Sequence, residues 1–344
     1  MHLMNCELFV ILELTDSVLR RILFGPPEMR QKNKGVVCAM KKILALFLAL
    51  LMLGSCAACA EDYVMTVSSP NGAPGVALAT LAVQTPDNYT YVAADTISAE
   101  FMKAEADFVI APVNAGAKLF KLGKSTYQLA GVVSWGNLCF ASQREGFTLA
   151  DMNGQKVTLF AENTINSAVA LYALAQNGIV PSEIEYLAGA ANTQALLLSD
   201  PEAIVMTAEP ALTAAKMKQS AITGYSLNEL YKAATGFEGF TQAGLFVRAQ
   251  TVAEQPEAVE AFLAQAAAAC EACTTDVPAA AAAAVAMQLL PNQKVAEAAI
   301  PGCSIRFVPA LEAREQLEFV ANIDLSQFGG ALPADEFYYG YAAQ

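Results

Sequence analysis

Three short stretches gather amide and hydroxyl side chains where a strand-like run gives way to a helical one: Pro70-Asn71-Gly72, Pro112-Val113-Asn114 and Asn163-Thr164-Ile165-Asn166-Ser167. Asn and Thr donate and accept hydrogen bonds without carrying charge. Such a set suits a neutral or zwitterionic small molecule, or an anion held mainly by backbone amides. Asn114, Asn163 and Thr164 fit equally well as plain helix caps.

A fourth stretch, Ser134-Trp135-Gly136-Asn137, holds the sole tryptophan of the chain beside a glycine. An exposed indole face there stacks on a planar or apolar ligand; a buried one is a packing residue. Asn137 adds a directional hydrogen bond or serves as a turn residue. Glu209 precedes Pro210 where a helix should begin. Its carboxylate either complements the helix N-terminus or accepts from a ligand amine or ring N–H. Arg144 reads as a surface partner of Glu145.

Catalytic chemistry has little to work with. The only histidine is His2, far upstream of the segments above, so no imidazole serves a general base, a Ser-His relay or a zinc site. There is no GxxxxGK[ST] loop and no GxSxG elbow. Cys270 and Cys273 lie three apart in an Ala-rich helical stretch, with no second pair to complete a metal site. They read as buried small hydrophobes, with a bridge from Cys303 to one of them left open and Cys139 standing apart. No metal and no cofactor is expected.

These residues need elements to position them. The chain has 344 residues, 55% of them apolar and 15% charged, enough for a substantial core. Strand and helix patterns alternate. Tyr63–Val67, Asp107–Pro112, Tyr127–Val133, Leu138–Ser142, Gln155–Phe160, Ile184–Leu187, Ala203–Thr207 and Phe240–Arg248 read as strands. Helices are expected over Val76–Val83, Asn114–Phe120, Thr164–Asn177, Asn192–Leu198, after Pro210, over Pro256–Cys270 and over Pro278–Leu290, the last two opened by proline. This alternation predicts an α/β fold with mainly parallel sheets.

The amino-terminal region carries an address. Met40-Lys41-Lys42, the apolar run Ile43–Leu53 and Leu53-Gly54-Ser55-Cys56 form a basic, hydrophobic and small-residue sequence of the signal-peptide kind, placing a signal over 40–55. Eleven apolar residues are too few to span a bilayer, which takes about 20. Residues 1–39, with mixed charges and Gly25-Pro26-Pro27, do not suit a secreted start; translation from Met40 is the expectation and a genuine extension the alternative. The net charge is −13, and residues 56–344 alone hold 13 basic against 29 acidic residues. That balance repels phosphate backbones, so no nucleic-acid partner is expected.

Leu-Gly-Ser-Cys resembles the bacterial lipobox, which makes Cys56 the lipidated anchor residue. Behind it, Asp107–Asn114, Val133-Ser134-Trp135-Gly136-Asn137-Leu138, Glu162–Ser167, Glu209-Pro210 and Val252–Leu263 appear in the order found in type 2 periplasmic binding proteins. The branch that resembles this chain binds nitrate, sulfonate, taurine and thiamine precursors. The resemblance implies a two-lobed fold with two mixed sheets flanked by helices and joined by two crossing strands. Lobe one would comprise 62–136 and 241–344, and lobe two 140–238. It further implies a solute-binding lipoprotein outside the cell membrane, working as a monomer with an ABC permease. The cleft would hold Asn71, Gly72, Asn114, Ser134, Trp135, Asn137, Asn163, Thr164, Asn166 and Glu209. A small planar or zwitterionic organic solute is preferred over sulfonate or nitrate, because Lys and Arg are scarce near these loops. An exported enzyme on the same fold and a solute-sensing surface lipoprotein are the alternatives.

Overall fold

Runs of β-branched and aromatic residues between Pro, Gly and Asn breaks produce the strands and helices of the computed structural model, which describes residues 63–342. The upstream stretch 1–39, the signal 40–55, the lipidation residue Cys56 and the cysteines Cys6 and Cys38 lie outside the described residues. The first elements are β1 (Val67–Pro70), α1 (Ala73–Val76), α2 (Ala79–Ala82), β2 (Tyr89–Val92), α3 (Ser98–Lys103), β3 (Phe108–Pro112), α4 (Val113–Lys121), β4 (Tyr127–Ser134) and β5 (Leu138–Ser142). The chain continues through β6 (Lys156–Phe160), α5 (Ile165–Gln176), β7 (Glu183–Leu187), α6 (Ala190–Ser199), β8 (Ile204–Ala208), α7 (Ala211–Lys218), β9 (Thr223–Ser226) and α8 (Leu227–Thr235). It returns with β10 (Ala243–Arg248), α9 (Ala249–Glu254), α10 (Pro256–Thr275), α11 (Val277–Ala286), α12 (Gln293–Ala299), β11 (Ile305–Pro309) and α13 (Ala310–Ile323).

Two mixed sheets result. The first has the order β11-β4-β10-β3-β1-β2 and the second β7-β6-β8-β5-β9. In the first, β1 runs parallel to β2 and β3, while β10 is antiparallel to both β3 and β4. In the second, β6 is parallel to β7 and β8, and β5 is antiparallel to β8 and β9. β5 and β10, the strands that arrive directly from the other sheet without a crossover helix, run antiparallel to both of their neighbours, and the edge strand β11 is antiparallel to β4. The chain passes between sheets twice, at residues 135–137 and 236–242.

Alternation of side chains gives the first sheet two apolar faces. Phe108, Ile110, Leu245 and Val247 pack on one side with Phe262, Ala266 and Cys270 of α10, where Phe108 and Phe262 stack 4.4 Å apart. Val109, Leu129, Val132 and Phe246 pack on the other with Phe101, Leu317 and Val320 of α3 and α13. Each fully buried Leu or Phe side chain contributes about 1.5–3 kcal/mol. At the end of this sheet where β3 begins, Asp107 is 2% exposed. It accepts from Thr66 N (3.0 Å), Thr66 Oγ1 (2.8 Å) and Thr251 Oγ1 (2.7 Å), and pairs with Arg248 at 3.2 Å. That knot fastens β3, β10, α9 and the lead-in to β1.

The elements differ from the sequence expectations in instructive places. The first strand is Val67–Pro70, not Tyr63–Val67, so Ser68 and Ser69 are buried strand residues. Parallel pairing on both edges of β1 meets their backbone needs, and the Ser68 hydroxyl donates to Glu100 Oε2 at 3.1 Å. The expected helix Val76–Val83 is two short pieces, split where Leu78 leaves helical geometry at ψ 15°. Phe240–Gln242 belong to the crossing and not to β10. No helix among the described residues is long and apolar enough to cross a membrane.

Candidate ligand cleft

Strand direction fixes where the junctions meet. β1, β3 and β4 run the same way, because β3 and β4 are both antiparallel to β10, so their C-terminal ends share one edge of the first sheet. β6 and β8 likewise end on one edge of the second sheet, and antiparallel β5 begins there. Since β4 passes into β5 through residues 135–137 alone, these two edges face each other across the crossing. Pro70–Gly72, Pro112–Asn114, Ser134–Asn137, the loop ahead of α5 and Ala208–Pro210 all lie on them. Strand C-terminal ends and helix N-termini are the usual lining of ligand clefts in α/β folds.

The centre of this boundary is Gln242, a residue that sequence reasoning absorbed into a strand. Its Oε1 accepts from Asn137 N at 3.1 Å and Ser134 Oγ at 3.3 Å. Its Nε2 donates to Asn166 Oδ1, on the first turn of α5, at 3.3 Å. Its backbone binds Ser134 O (through N, 3.0 Å) and accepts from Val113 N at 3.1 Å, at the start of α4. One side chain thus joins both crossings to the second sheet's helix. The sequence signal was available: Thr241-Gln242 is a polar interruption inside an apolar run.

Asn137 is held through its N, O and Nδ2 atoms. Its Nδ2 donates to Glu209 O at 2.8 Å and its O accepts from Glu209 N at 2.9 Å, so Ser134, Asn137, Asn166 and the Glu209 backbone form one network with Gln242. The Glu209 carboxylate is 8% exposed and accepts from Thr213 N (3.1 Å) and Thr213 Oγ1 (3.0 Å), inside the first turn of α7. Burial pushes its carboxyl up from the usual range, while the Thr213 bonds and the charge of Lys216 pull it down. Gly302 packs on it: a Cβ there would come within 2.9 Å of Glu209 Cγ.

The other expected residues divide. Asn114 is the second residue of α4 and not its cap, which is Pro112; its Oδ1 is buried without a partner among the described residues. Thr164 is the cap of α5, with its hydroxyl accepting from Ser167 N at 3.4 Å and donating to Ala161 O at 2.7 Å. Asn163 is exposed in the left-handed region at φ 56°, two residues after Ala161 at φ 55°. Paired non-glycine residues of this kind mark strained, often functional loops. Asn71 is exposed and donates twice to Val92 O, tying β1 to β2. Gly72, at φ 90°, fronts open space.

Trp135 is 2% exposed, and this corrects the expectation of a stacking platform. Its indole N–H donates to Arg306 O at 3.1 Å, and the Arg306 guanidinium covers the ring at 4.2 Å. Asn228, another residue not foreseen, donates from Nδ2 to Trp135 O and Gly136 O, both at 2.9 Å. The indole is a packed crossing residue, buried in one core cluster with Leu138 and Phe240. Further across, Phe319 of α13 contacts Tyr172, Tyr231 and Phe237 of the second lobe's helices and crossing, with centroids 6.0, 6.3 and 5.6 Å away. Gln327 Nε2 also reaches Asn163 O at 3.0 Å.

The chemistry on offer is hydrogen bonding. Among the described residues no lysine or arginine side chain bonds to Ser134, Asn137, Asn166 or Gln242, and no group of three or more His, Cys, Asp or Glu is placed to hold a metal. Cys139, Cys270, Cys273 and Cys303 are buried and unbridged. Burial, followed by the Glu209 charge, pushes the Cys139 thiol up to about 12, so it is no nucleophile near neutrality.

Comparison with known proteins bears on the fold. The family model described as NMT1/THI5 like matches residues 134–281. A crystal structure of an ABC transporter protein from Parabacteroides distasonis aligns with a TM-score of 0.68 at 21% identity, over 82% of this chain and 100% of that one. The periplasmic aliphatic sulphonate binding protein SsuA from Escherichia coli gives 0.61 at 15% identity, over 81% of this chain and 93% of that one. The alkanesulfonate-binding protein SsuA from Xanthomonas axonopodis pv. citri, bound to MOPS, gives 0.56 at 15% identity, over 81% and 96%. No curated protein matches the chain. The architecture is that of the periplasmic binding proteins, as the motif order implied.

Proposed function

We propose that this chain is the solute-binding lipoprotein of an ABC importer, working outside the cell membrane and tethered to its outer face through Cys56. Lobe one, residues 62–136 with 241–344, and lobe two, residues 140–238, close on a small organic solute and present it to a membrane permease. The chain acts as a monomeric binder and catalyses no reaction. The observation that carries this reading is the convergence of both sheets' strand ends on Gln242, which builds a polar boundary between two lobes joined by only two crossings. Closure on a guest is then a hinge motion, and the closed form is what the permease would read. The solved relatives described as sulfonate binders suggest an oxyanion guest. That no lysine or arginine side chain bonds to Ser134, Asn137, Asn166 or Gln242 among the described residues argues instead for an uncharged or zwitterionic one.

The test is a thermal-shift screen of the purified full chain in mild detergent, against sulfonates, amino acids, amides and nitrogen heterocycles. A guest at about 100 times its dissociation constant stabilises by about 2.7 kcal/mol. Small-angle scattering with the best compound should show a smaller radius of gyration. A screen in which no compound raises the melting temperature, or in which the stabilising compound is consumed, sinks the reading.

A further inference from the structure

An amide side chain has an oxygen end and a nitrogen end, and its neighbours decide which way it faces. A backbone N–H can only donate. Asn137 N lies 3.1 Å from the Gln242 carboxamide, so the atom it meets must be Oε1. The Ser134 hydroxyl, 3.3 Å from the same atom, rotates to donate as well. The opposite atom of Gln242 is therefore its NH2, which points at Asn166. To receive that donor, Asn166 must turn its oxygen toward Gln242, which leaves the Asn166 NH2 on the far side. It has no partner among the described residues and is not fully buried.

We propose that Gln242 is a positioning residue that sets specificity: it locks the Asn166 amide so that the second lobe offers the cleft a hydrogen-bond donor, selecting solutes that present an acceptor there, such as a carbonyl oxygen or ring nitrogen, over those that present a donor. The proposal rests on the solute-binding reading above for its ligand half, while its orientation half concerns the empty protein. The donor is uncharged, and among the described residues no cation bonds to this network; Arg306 lies on the Trp135 ring instead. The order of the relay, from backbone Asn137 through Gln242 to Asn166, crosses from the first crossing to the second and then into the second lobe. Its polarity therefore survives only while the lobes keep this approach.

The experiment labels Asn and Gln side-chain amides with nitrogen-15 in the full chain, and assigns the two pairs of peaks by their loss in Asn166→Asp and Gln242→Glu. Hydrogen exchange should be slowed for one Gln242 NH2 proton and fast for both Asn166 protons. In Gln242→Glu the carboxylate can only accept, so Asn166 should rotate and its NH2 become protected. Dimethyl sulfoxide, which only accepts, should shift the wild-type Asn166 NH2 peaks saturably, with at least fivefold weaker response in Gln242→Glu. Methylammonium, which only donates, should leave them in place. Fast exchange at Gln242 with protection at wild-type Asn166 overturns the relay whatever the protein transports. A response to methylammonium and none to dimethyl sulfoxide overturns the selection. Expected exchange rates with no saturable response to either probe remove Asn166 from any solute site, which sinks the ligand half and counts against the cleft itself.

Discussion

Gly239 packs directly on the carbonyl oxygen of Trp135, so closely that any Cβ at that position would overlap it. The two segments that join the lobes therefore touch backbone to backbone. Asn228 Nδ2 lies 3.1 Å from the same missing Cβ and binds the carbonyls of Trp135 and Gly136, which staples the contact from the second lobe.

Gly239→Ala is expected to force these crossings apart. Overpacking of this kind costs about 1–3 kcal/mol, here with loss of the Asn228 bonds in addition. Urea unfolding should show a lower midpoint, and hydrogen exchange should rise at Trp135–Asn137 before it rises in the sheets. An unchanged midpoint would mean the crossings do not bear on each other.

Asp107→Ala removes the carboxylate that accepts from Thr66, Arg248 and Thr251 at the end of the first sheet opposite the cleft. Arg248 loses its carboxylate partner and keeps only Ala104 O and Thr251 Oγ1 among the described residues, while the Thr66 and Thr251 hydroxyls lose the acceptor they donate to. Breaking this largely buried pair is expected to cost about 3–5 kcal/mol. Because the knot lies away from the strand ends that line the cleft, any solute affinity should survive in the folded fraction. Equal loss of affinity and stability would place the knot in the binding machinery.

Glu209 carries a pH signature. Burial raises its carboxyl, so the folded protein keeps the proton over a window in which the unfolded chain has already released it. Stability contributed by this group therefore increases as pH falls through the raised value, and above it the ionised carboxylate works against folding. Glu209→Gln is neutral throughout and should lose that segment of the profile. Urea midpoints of wild type and variant, compared from about pH 7 to about pH 5, should converge toward the acid end. Parallel profiles would show that the Thr213 bonds cancel burial.

Trp135→Ala is expected to destabilise the empty protein by about 3–5 kcal/mol, because the indole is a buried filler and not an open platform. As the sole tryptophan, it also reports on its own surroundings: emission should be blue-shifted and poorly quenched by acrylamide. Red emission with free quenching would return the ring to the candidate ligand contacts.

The sequence made the architecture legible because strand ends announce themselves. Asp107–Pro112 and Ala203–Thr207 are built on the apolar runs 108–111 and 203–206 and are followed by Pro or Glu-Pro; the first strand starts one residue later than its expected range, and the second is displaced by one residue at both ends. Shorter edge elements escaped. β2, with Tyr89 and Tyr91, and β9, with Gly224, have too little apolar pattern to stand out, since a four-residue strand draws its stability from its neighbour. The site was legible only as a set of places. Ser134, Asn137 and Asn166 were named as ligand contacts, but their joint dependence on Gln242 is a tertiary relation between residues up to 108 apart in sequence. The choice between a stacking and a packing role for Trp135 was hidden for the same reason. Composition marks a lone indole as unusual, whereas only coordinates show Arg306 lying on its face.

Phe319 sits among three rings that all travel with the other half of the molecule. All three meet it edge to face, at interplanar angles of 77°, 82° and 74°. That is the orientation aromatic quadrupoles favour, so each contact is worth about 0.5–1.5 kcal/mol beyond the area it shields. The cluster therefore works as a latch: any sliding of one half past the other must give up several oriented ring contacts at once.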